Sequence, residues 1–131
     1  MSFRLLVVDD EELIRRPLLR ALKGYGFEVA EAGDGEEAAG LIRDSGQPFD
    51  LLVTDVVMPR MNGWDLADLT MSLSPGTRIL VISAYAADPP RQALHALPYL
   101  QKPFDLEVFL TTVRQLLHSP TPPKSFPAVG T

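Results

Sequence analysis

Leu51-Leu52-Val53-Thr54-Asp55 is the stretch that decides the fold, because it is a short, continuously apolar run that ends in a carboxylate. Apolar runs of this length, without polar alternation, are typical of strands covered on both faces, as in a parallel sheet. Arg4–Val8 and Ile79–Ile82 repeat the pattern, the first followed by Asp9-Asp10 and the second by Ser83. The three runs predict the buried centre of one parallel sheet.

Weaker strands and helical patterns fill the rest of the chain in alternation. Phe27–Glu31 alternates as a half-buried strand does, and Tyr99–Gln101 is a weak strand that ends at Lys102. Apolar stripes at helical spacing predict five helices: Glu12–Lys23, one from the cap Asp34 to about Arg43, Trp64–Leu73, a short one over Arg91–Leu97, and one from the cap Asp105 to about His118. This alternation predicts an α/β fold, a doubly wound parallel sheet with helices on both faces.

Three local features modify these helices. Pro17 lies inside the first helix, where it removes one backbone hydrogen bond and is expected to kink the second turn unless the helix starts late. Glu37 stands three residues after Asp34, the spacing of a capping box. Pro89-Pro90 and Pro98 crowd the fourth helix, which is therefore expected to be short and partly irregular.

Length and composition describe one acidic domain. The chain has 131 residues, 46% of them hydrophobic, which suffices for one continuous core. It has no cysteines, which excludes disulfides, thiolate metal sites and cysteine nucleophiles. The formal net charge of −5 offers no basic stripe for nucleic acid. No apolar run approaches the roughly 20 residues of a membrane span, and the first strand is not preceded by a secretory signal, so we expect a cytoplasmic location.

The last part of the chain differs in composition from the rest. Residues 119–131 contain four prolines, which favour an extended tail or linker over regular structure. We therefore expect a domain over residues 1–118 and a Pro-rich tail over residues 119–131. The sequence leaves open whether the chain is a stand-alone protein or a piece of a longer one.

Polar residues with chemical potential stand at the ends of four predicted strands. In an open α/β sheet, ligands bind outside the carboxyl ends of the strands, and those ends carry Asp9-Asp10, Asp55, Ser83 and Lys102. Three carboxylates at close quarters repel one another unless a cation compensates them. Mg²⁺ prefers such oxygen ligands together with phosphate oxygens, and a carboxylate can accept a phosphoryl group as an aspartyl phosphate. A lysine and a hydroxyl could then neutralise and hydrogen-bond the phosphoryl oxygens.

Each of these residues has an ordinary explanation when it is taken alone. A strand-end Asp more often caps the following helix, a Ser there is commonly part of a turn, and a Lys is usually solvated at the surface. Their joint occurrence at successive strand ends is what favours a phosphoryl-transfer site over these explanations.

Four motifs resemble the receiver domains of two-component signalling. They are Leu6–Asp10, the stretch Val53–Pro59 with Met61-Asn62-Gly63, Val81–Ala84, and Lys102-Pro103-Phe104. The resemblance covers Phe3 to about Leu117. It implies a flavodoxin-like, five-stranded parallel sheet in the order 2-1-3-4-5, and a cis peptide bond between Lys102 and Pro103.

The resemblance implies a role for each strand-end residue. Asp55 is identified with the phospho-acceptor. Asp10, Asp55 and the backbone carbonyl of Val57 are expected to bind Mg²⁺ directly, and Asp9 is expected to act through a metal-bound water. Lys102 is expected to pair with the phosphoryl group.

The resemblance also implies a switch. Ser83 would move to hydrogen-bond the phosphoryl group, and Tyr99 would then turn inward; the alternative for Tyr99 is an amphipathic side chain packed at the surface. Val57 and Tyr85 stand at positions that tune phosphate loss, and neither can activate water. The phospho-state is therefore expected to outlast that of fast-cycling chemotaxis regulators. The short fourth helix leaves the usual dimer geometry of the family open.

The implied partner is a histidine kinase or phosphotransfer protein that presents a phosphohistidine, as in a phosphorelay. The output partner or fused output domain is open, and so is a homodimer. No nucleic acid or membrane partner is expected, and no enzymatic activity beyond the domain's own phosphorylation and dephosphorylation. Two alternatives remain: a receiver-like interaction module that is never phosphorylated, and an aspartate-nucleophile phosphatase. A phosphatase of that kind usually needs another acid shortly after the nucleophile, whereas Val56 and Val57 follow Asp55.

Overall fold

The structure, a computed structural model, describes residues 2–84 and 97–118. Within these ranges five strands form one sheet, and every neighbouring pair is parallel in the order β2-β1-β3-β4-β5. The strands are β1 Arg4–Val8, β2 Glu28–Ala32, β3 Leu51–Asp55, β4 Arg78–Ser83 and β5 Tyr99–Gln101. The predicted fold class and strand order are confirmed, and Asp55 and Ser83 are the last residues of their strands.

Four helices lie within the described residues. They are α1 Glu12–Gly24, α2 Gly35–Asp44, α3 Gly63–Leu73 and α4 Leu106–Leu117. The helix α4 is the fifth helix of the sequence prediction. The predicted short helix lies outside the described residues apart from Leu97, which is buried, and the predicted Pro-rich tail lies outside them entirely. In the part of the chain that the structure describes, no helix is long and apolar enough to cross a bilayer.

The sheet separates two apolar cores. Because successive side chains of a strand point to opposite faces, Leu6 and Leu52 pack with α2 and α3 on one face, while Leu5 and Val53 pack with α1 and α4 on the other. Residues Leu5–Val8 are completely buried, as expected of a strand covered on both sides. Burying each such side chain contributes roughly 1.5–3 kcal/mol to stability. This double cover fixes the sheet rigidly and leaves its carboxyl edge as the platform for a site.

The start of α2 departs slightly from the predicted capping box. The Asp34 carboxylate accepts a hydrogen bond from the Glu37 N–H at 2.8 Å, as predicted. The Glu37 carboxylate, however, accepts from the N–H of Gly33, also at 2.8 Å, one residue before the cap. The pair still satisfies two backbone donors at the end of the helix, which is the physical purpose of the motif.

Pro17 does not break α1, which runs through it from Glu12 to Gly24. The proline is exposed, and α1 buries Leu18, Leu19 and Leu22 against the sheet. Losing one backbone hydrogen bond on the solvent side leaves this packing intact. At the other terminus of the helix Gly26 adopts a φ of 88°, a conformation that glycine tolerates and that turns the chain towards β2.

Candidate functional site

The carboxyl edge of the sheet brings together the residues that the strand-end pattern selected. Asp9 directly follows β1, and Asp55 and Ser83 end β3 and β4. Asp9 and Ser83 are fully buried and Asp55 is 7% exposed, whereas Asp10 is exposed. Lys102 follows β5, and its backbone N–H donates to the Ser83 carbonyl at 2.7 Å. Since the strands are parallel and adjacent, their ends form one compact cluster.

Three carboxylates of this cluster lie close enough to share a cation. Asp9, Asp10 and Asp55 each offer an oxygen, and these three oxygens lie within 4.8 Å of one another. Such an all-oxygen, acidic donor set is what a hard divalent ion such as Mg²⁺ prefers. Two of the three carboxylates are buried, so their mutual repulsion is weakly screened and a bound cation would relieve it. The residues present therefore fit the expected ion.

The two buried carboxylates are held in the same way. One oxygen of each, Oδ1, accepts a hydrogen bond from a nearby backbone amide: Asp9 from the Glu11 N–H at 2.9 Å, and Asp55 from the Val56 N–H at 2.8 Å. The other oxygen of each, Oδ2, faces the Lys102 ammonium, at 3.0 Å for Asp9 and 3.3 Å for Asp55. Lys102 thus bridges the two carboxylates while the backbone fixes their orientation.

Burial and charge shift the proton affinities of this cluster. Burial, with the adjacent charge of Asp9, raises the pKa of Asp55 above its ordinary value, and Lys102 offsets only part of that effect. Burial alone would lower the pKa of Lys102, but the hydrogen bond to Asp9 and the charge of Asp55 outweigh it, so that pKa is raised. Lys102 therefore stays an ammonium at neutral pH.

A cavity of about 350 Å³ opens onto the cluster. Its lining consists of Asp10, Glu11, Asp55, Val57, Ser83, Ala84 and Lys102. Val57, which is 58% exposed, and the small, exposed Ala84 lie at this cavity. The opening leaves Asp55 accessible from solvent.

The loop after Asp55 is held in a narrow set of conformations. A Cβ on Gly63 would lie 2.0 Å from the Asp55 carbonyl oxygen, and the Gly63 N–H donates to the Val56 carbonyl at 2.8 Å. Arg60 has a φ of 71°, and its guanidinium pairs with the Asp34 carboxylate at the start of α2. The glycine is thus required for the close return of the chain that presents Val57 to the cavity.

Ser83 and Tyr99, the predicted switch residues, both lie among the described residues, and their role and motion stay predictions. Ser83 is buried and lines the cavity. Tyr99 begins β5, opposite Val81, and is 39% exposed. Tyr85 lies outside the described residues. The Lys102–Pro103 peptide bond is cis, as predicted.

Residues 5–114 match the family model described as response regulator receiver domain. The chain belongs to this family. The match covers β1 from its second residue, the other four strands and every residue of the site, so the receiver assignment rests on nearly the whole domain as well as on the cluster of acids.

Named relatives agree with the receiver assignment. Response regulator MprA of Mycolicibacterium vanbaalenii is 41% identical over 125 residues, which cover 93% of this chain and 53% of that protein. Sensor kinase CckA of Brucella abortus is 36% identical over 119 residues, which cover 88% of this chain and 13% of that protein. The chain therefore spans about half or less of these curated relatives.

A solved receiver structure is similar over its whole length. Response regulator TrrA of Thermotoga maritima, crystallised in complex with Mg²⁺-BeF, superposes with a TM-score of 0.77 at 31% identity. The alignment covers 88% of this chain and 99% of that one. The receiver fold, with its strand order, is thereby shown independently of the family model.

Three residues around the receiver site escaped the sequence analysis. Glu11 lines the cavity, Arg60 braces the loop after Asp55, and Arg15 on α1 donates to the Asp9 carbonyl. The run of acids from Asp9 to Glu12 was a visible signal for Glu11. Nothing in a single sequence indicated how far the two arginine side chains reach between elements.

Proposed function

We propose that this receiver domain accepts a phosphoryl group on Asp55 from the phosphohistidine of a histidine kinase or phosphotransfer protein. The observation that carries the proposal is the Lys102 ammonium, placed between Oδ2 of Asp9 and Oδ2 of Asp55 at a cavity open to solvent. An ammonium beside a nucleophilic carboxylate suits phosphoryl transfer, which depends on positioning and charge neutralisation more than on a base.

In the proposed transfer the Asp55 carboxylate attacks phosphorus. A P–O bond to Asp55 forms while the P–N bond to the donor histidine breaks. The histidine nitrogen leaves with the bonding electron pair. The ring is released as neutral imidazole when its other nitrogen carries a proton, and otherwise the departing nitrogen takes up a proton from water. Lys102 offsets the charge of the phosphoryl oxygens, and the Val56 amide keeps Asp55 in one orientation throughout.

The proposed cofactor is Mg²⁺, held by Asp10, Asp55 and the Val57 carbonyl, with Asp9 acting through a water. When bound, this ion supplies positive charge to the carboxylates and the phosphoryl oxygens. The acidic donor set supports this choice, and the related TrrA was crystallised with Mg²⁺-BeF. The three carboxylates and Lys102 then hold the site ready before the donor arrives.

The proposed output is a conformational switch. Ser83 would hydrogen-bond the new phosphate and Tyr99 would turn inward, which biases an existing equilibrium between two arrangements. The domain would act on no substrate other than its own Asp55. We further propose that an output partner reads the switch and that the phospho-state is long-lived. The proposal also places the receiver domain in residues 1–118, with a tail beyond it, and locates the protein in the cytoplasm.

Acetyl phosphate tests the proposal without a cognate kinase. The protein is incubated with acetyl phosphate, with and without Mg²⁺, and its intact mass is followed. We expect one phosphate adduct that requires Mg²⁺ and disappears in Asp55→Ala, while Asp44→Ala, which removes an exposed acid at the end of α2, leaves it unchanged. A folded protein that forms no adduct under any of these conditions would favour the interaction module that is never phosphorylated.

A further inference from the structure

Arg15 connects three elements at the edge of the site. It lies on α1, and its side chain is 15% exposed. Its Nε donates to the Glu31 carboxylate on β2 at 2.7 Å, and its NH1 nitrogen donates to the Asp9 backbone carbonyl after β1, also at 2.7 Å. The arginine does not touch the cavity itself.

The carbonyl that Arg15 holds belongs to the peptide group between Asp9 and Asp10. That group is planar and includes the α-carbons of both acids, so a hydrogen bond to its oxygen restrains the position from which both carboxylates project. On the other side of Asp9, its backbone N–H donates to the Ala32 carbonyl of β2 at 3.3 Å. Arg15 and Ala32 together anchor both backbone polar groups of Asp9.

The geometry suits arginine in particular. A guanidinium is planar and presents several N–H donors in fixed directions, so a contact with Glu31 sets the direction of the donor that reaches Asp9. A lysine has one nitrogen in place of these two separated donors and cannot reproduce the pair of contacts from the same position.

We propose that Arg15 is a positioning residue that preorganises the Asp9-Asp10 pair for a divalent cation. The inference rests on the proposed function of the site. Residues that orient metal ligands without touching the metal typically change metal affinity by about 10- to 100-fold when they are replaced. Arg15 has this relation to the acidic pair.

The sign of the effect separates positioning from simple electrostatics. Arg15 carries a positive charge near the acids, so charge alone predicts that Arg15→Gln binds Mg²⁺ more tightly than the wild type. Positioning predicts the reverse, a loss of about tenfold in Mg²⁺ affinity. Arg15→Lys keeps the charge but loses the two-partner geometry, and we expect it to bind nearly as weakly as Arg15→Gln.

The experiment is a calorimetric Mg²⁺ titration of the unphosphorylated protein at fixed ionic strength, with urea unfolding to establish that each variant is folded. Arg16→Gln is the matched control, because Arg16 is the next residue of α1, is 66% exposed and pairs only with Glu12 in the described residues. We expect Arg16→Gln to bind Mg²⁺ at least as tightly as the wild type. Arg15→Lys keeps the charge, so electrostatics alone predicts wild-type affinity for it, and it keeps the test available if Arg15→Gln fails to fold.

The outcomes separate the two proposals. Wild-type protein that binds Mg²⁺ while folded Arg15→Gln binds equally well or better would overturn the role of Arg15 alone. Wild-type affinity in Arg15→Lys would overturn the requirement for two partners. A folded wild type that binds no Mg²⁺ would overturn the proposed cofactor and the inference with it.

Discussion

Lys102 at the carboxyl edge of the sheet and Arg4 at the amino edge are both largely shielded cations, but their surroundings differ. Arg4 bonds to the carbonyls of Gln47 and Pro48 and to the Ser45 hydroxyl, and its guanidinium lies 4.6 Å from the Phe49 ring centroid. These partners are neutral, and the carboxylate that also pairs with Arg4, that of Glu28 at 3.4 Å, is exposed to solvent. Lys102 instead lies between two buried carboxylates with a third nearby.

The difference between the two edges separates structural from functional charge. At the amino edge the positive charge of Arg4 is surrounded by several hydrogen-bond acceptors that offset it. At the carboxyl edge the three carboxylates outnumber the one ammonium, and two of the carboxylates are buried. A further cation would therefore be bound favourably there. The comparison indicates that an unbalanced buried charge is a better sign of function than a buried charge as such.

Replacing each of the two cations by alanine gives the largest expected effects, one on the phosphorylation rate and one on stability. Lys102→Ala should slow phosphorylation by acetyl phosphate by about a hundredfold, because it removes the charge that stabilises the transferring group. Arg4→Ala should leave that rate nearly unchanged but lower the free energy of unfolding by about 2 kcal/mol through its lost hydrogen bonds. Intact-mass kinetics and urea unfolding of both variants measure the two effects. A reduced phosphorylation rate in folded Arg4→Ala would break the distinction between the edges.

A methyl group at the carboxyl edge tests how tightly the site is built. Gly63→Ala places a Cβ 2.0 Å from the Asp55 carbonyl oxygen, so the loop must shift. We expect a loss of about 3 kcal/mol in unfolding free energy, the upper end of usual overpacking costs. Gly46→Ala is the control, since a Cβ there meets nothing within 4 Å. Equal stability of the two variants in urea unfolding would contradict the close packing described for this loop.

Much of this comparison was accessible from the sequence. Periodicity located all five strands within one or two residues, because apolar runs and their ends are local properties. The same runs selected Asp9, Asp55 and Lys102, since parallel strands bring their carboxyl ends to one edge. These predictions needed only the order of elements along the chain.

The contacts between elements were not accessible in this way. Arg15 reaches Asp9 and Glu31, and Arg60 reaches Asp34, through long side chains whose direction depends on tertiary packing. Pro17 lies within α1 without interrupting it, while the helix buries Leu18, Leu19 and Leu22 against the sheet, and the expected kink stays a prediction. Sequence periodicity within one element does not indicate which contacts form between elements.

A smaller effect concerns pH, and it contrasts Asp55 with Asp34. Burial raises the pKa of Asp55, so folding favours the protonated carboxyl group. The resulting stabilisation of the folded protein is fully present below pH 3.8, the ordinary pKa, and is lost as the pH rises through the folded-state pKa. Asp55→Asn should therefore stabilise the metal-free protein at neutral pH, with the gain vanishing in acid.

Asp34 should behave in the opposite way. The hydrogen bond from Arg60 lowers the pKa of Asp34, so folding favours the ionised carboxylate. The resulting stabilisation of the folded protein is fully present above pH 3.8, the ordinary pKa, and is lost as the pH falls through the folded-state pKa. Asp34→Asn should destabilise the protein at neutral pH and less so in acid. Urea unfolding with EDTA at neutral pH and at about pH 4 measures both variants. Parallel pH dependences in the two variants would contradict the assigned causes.

The backbone amides that hold Asp9 and Asp55 have a consequence for sequence variation. Both Oδ1 anchors come from main-chain N–H groups, those of Glu11 and Val56, and every amino acid except proline carries such a group. The side chains at positions 11 and 56 can therefore diverge, as far as packing allows, without loss of these anchors. A lineage could thus change the surroundings of Asp9 and Asp55 to suit new partners while the orientation of the two carboxylates is inherited unchanged.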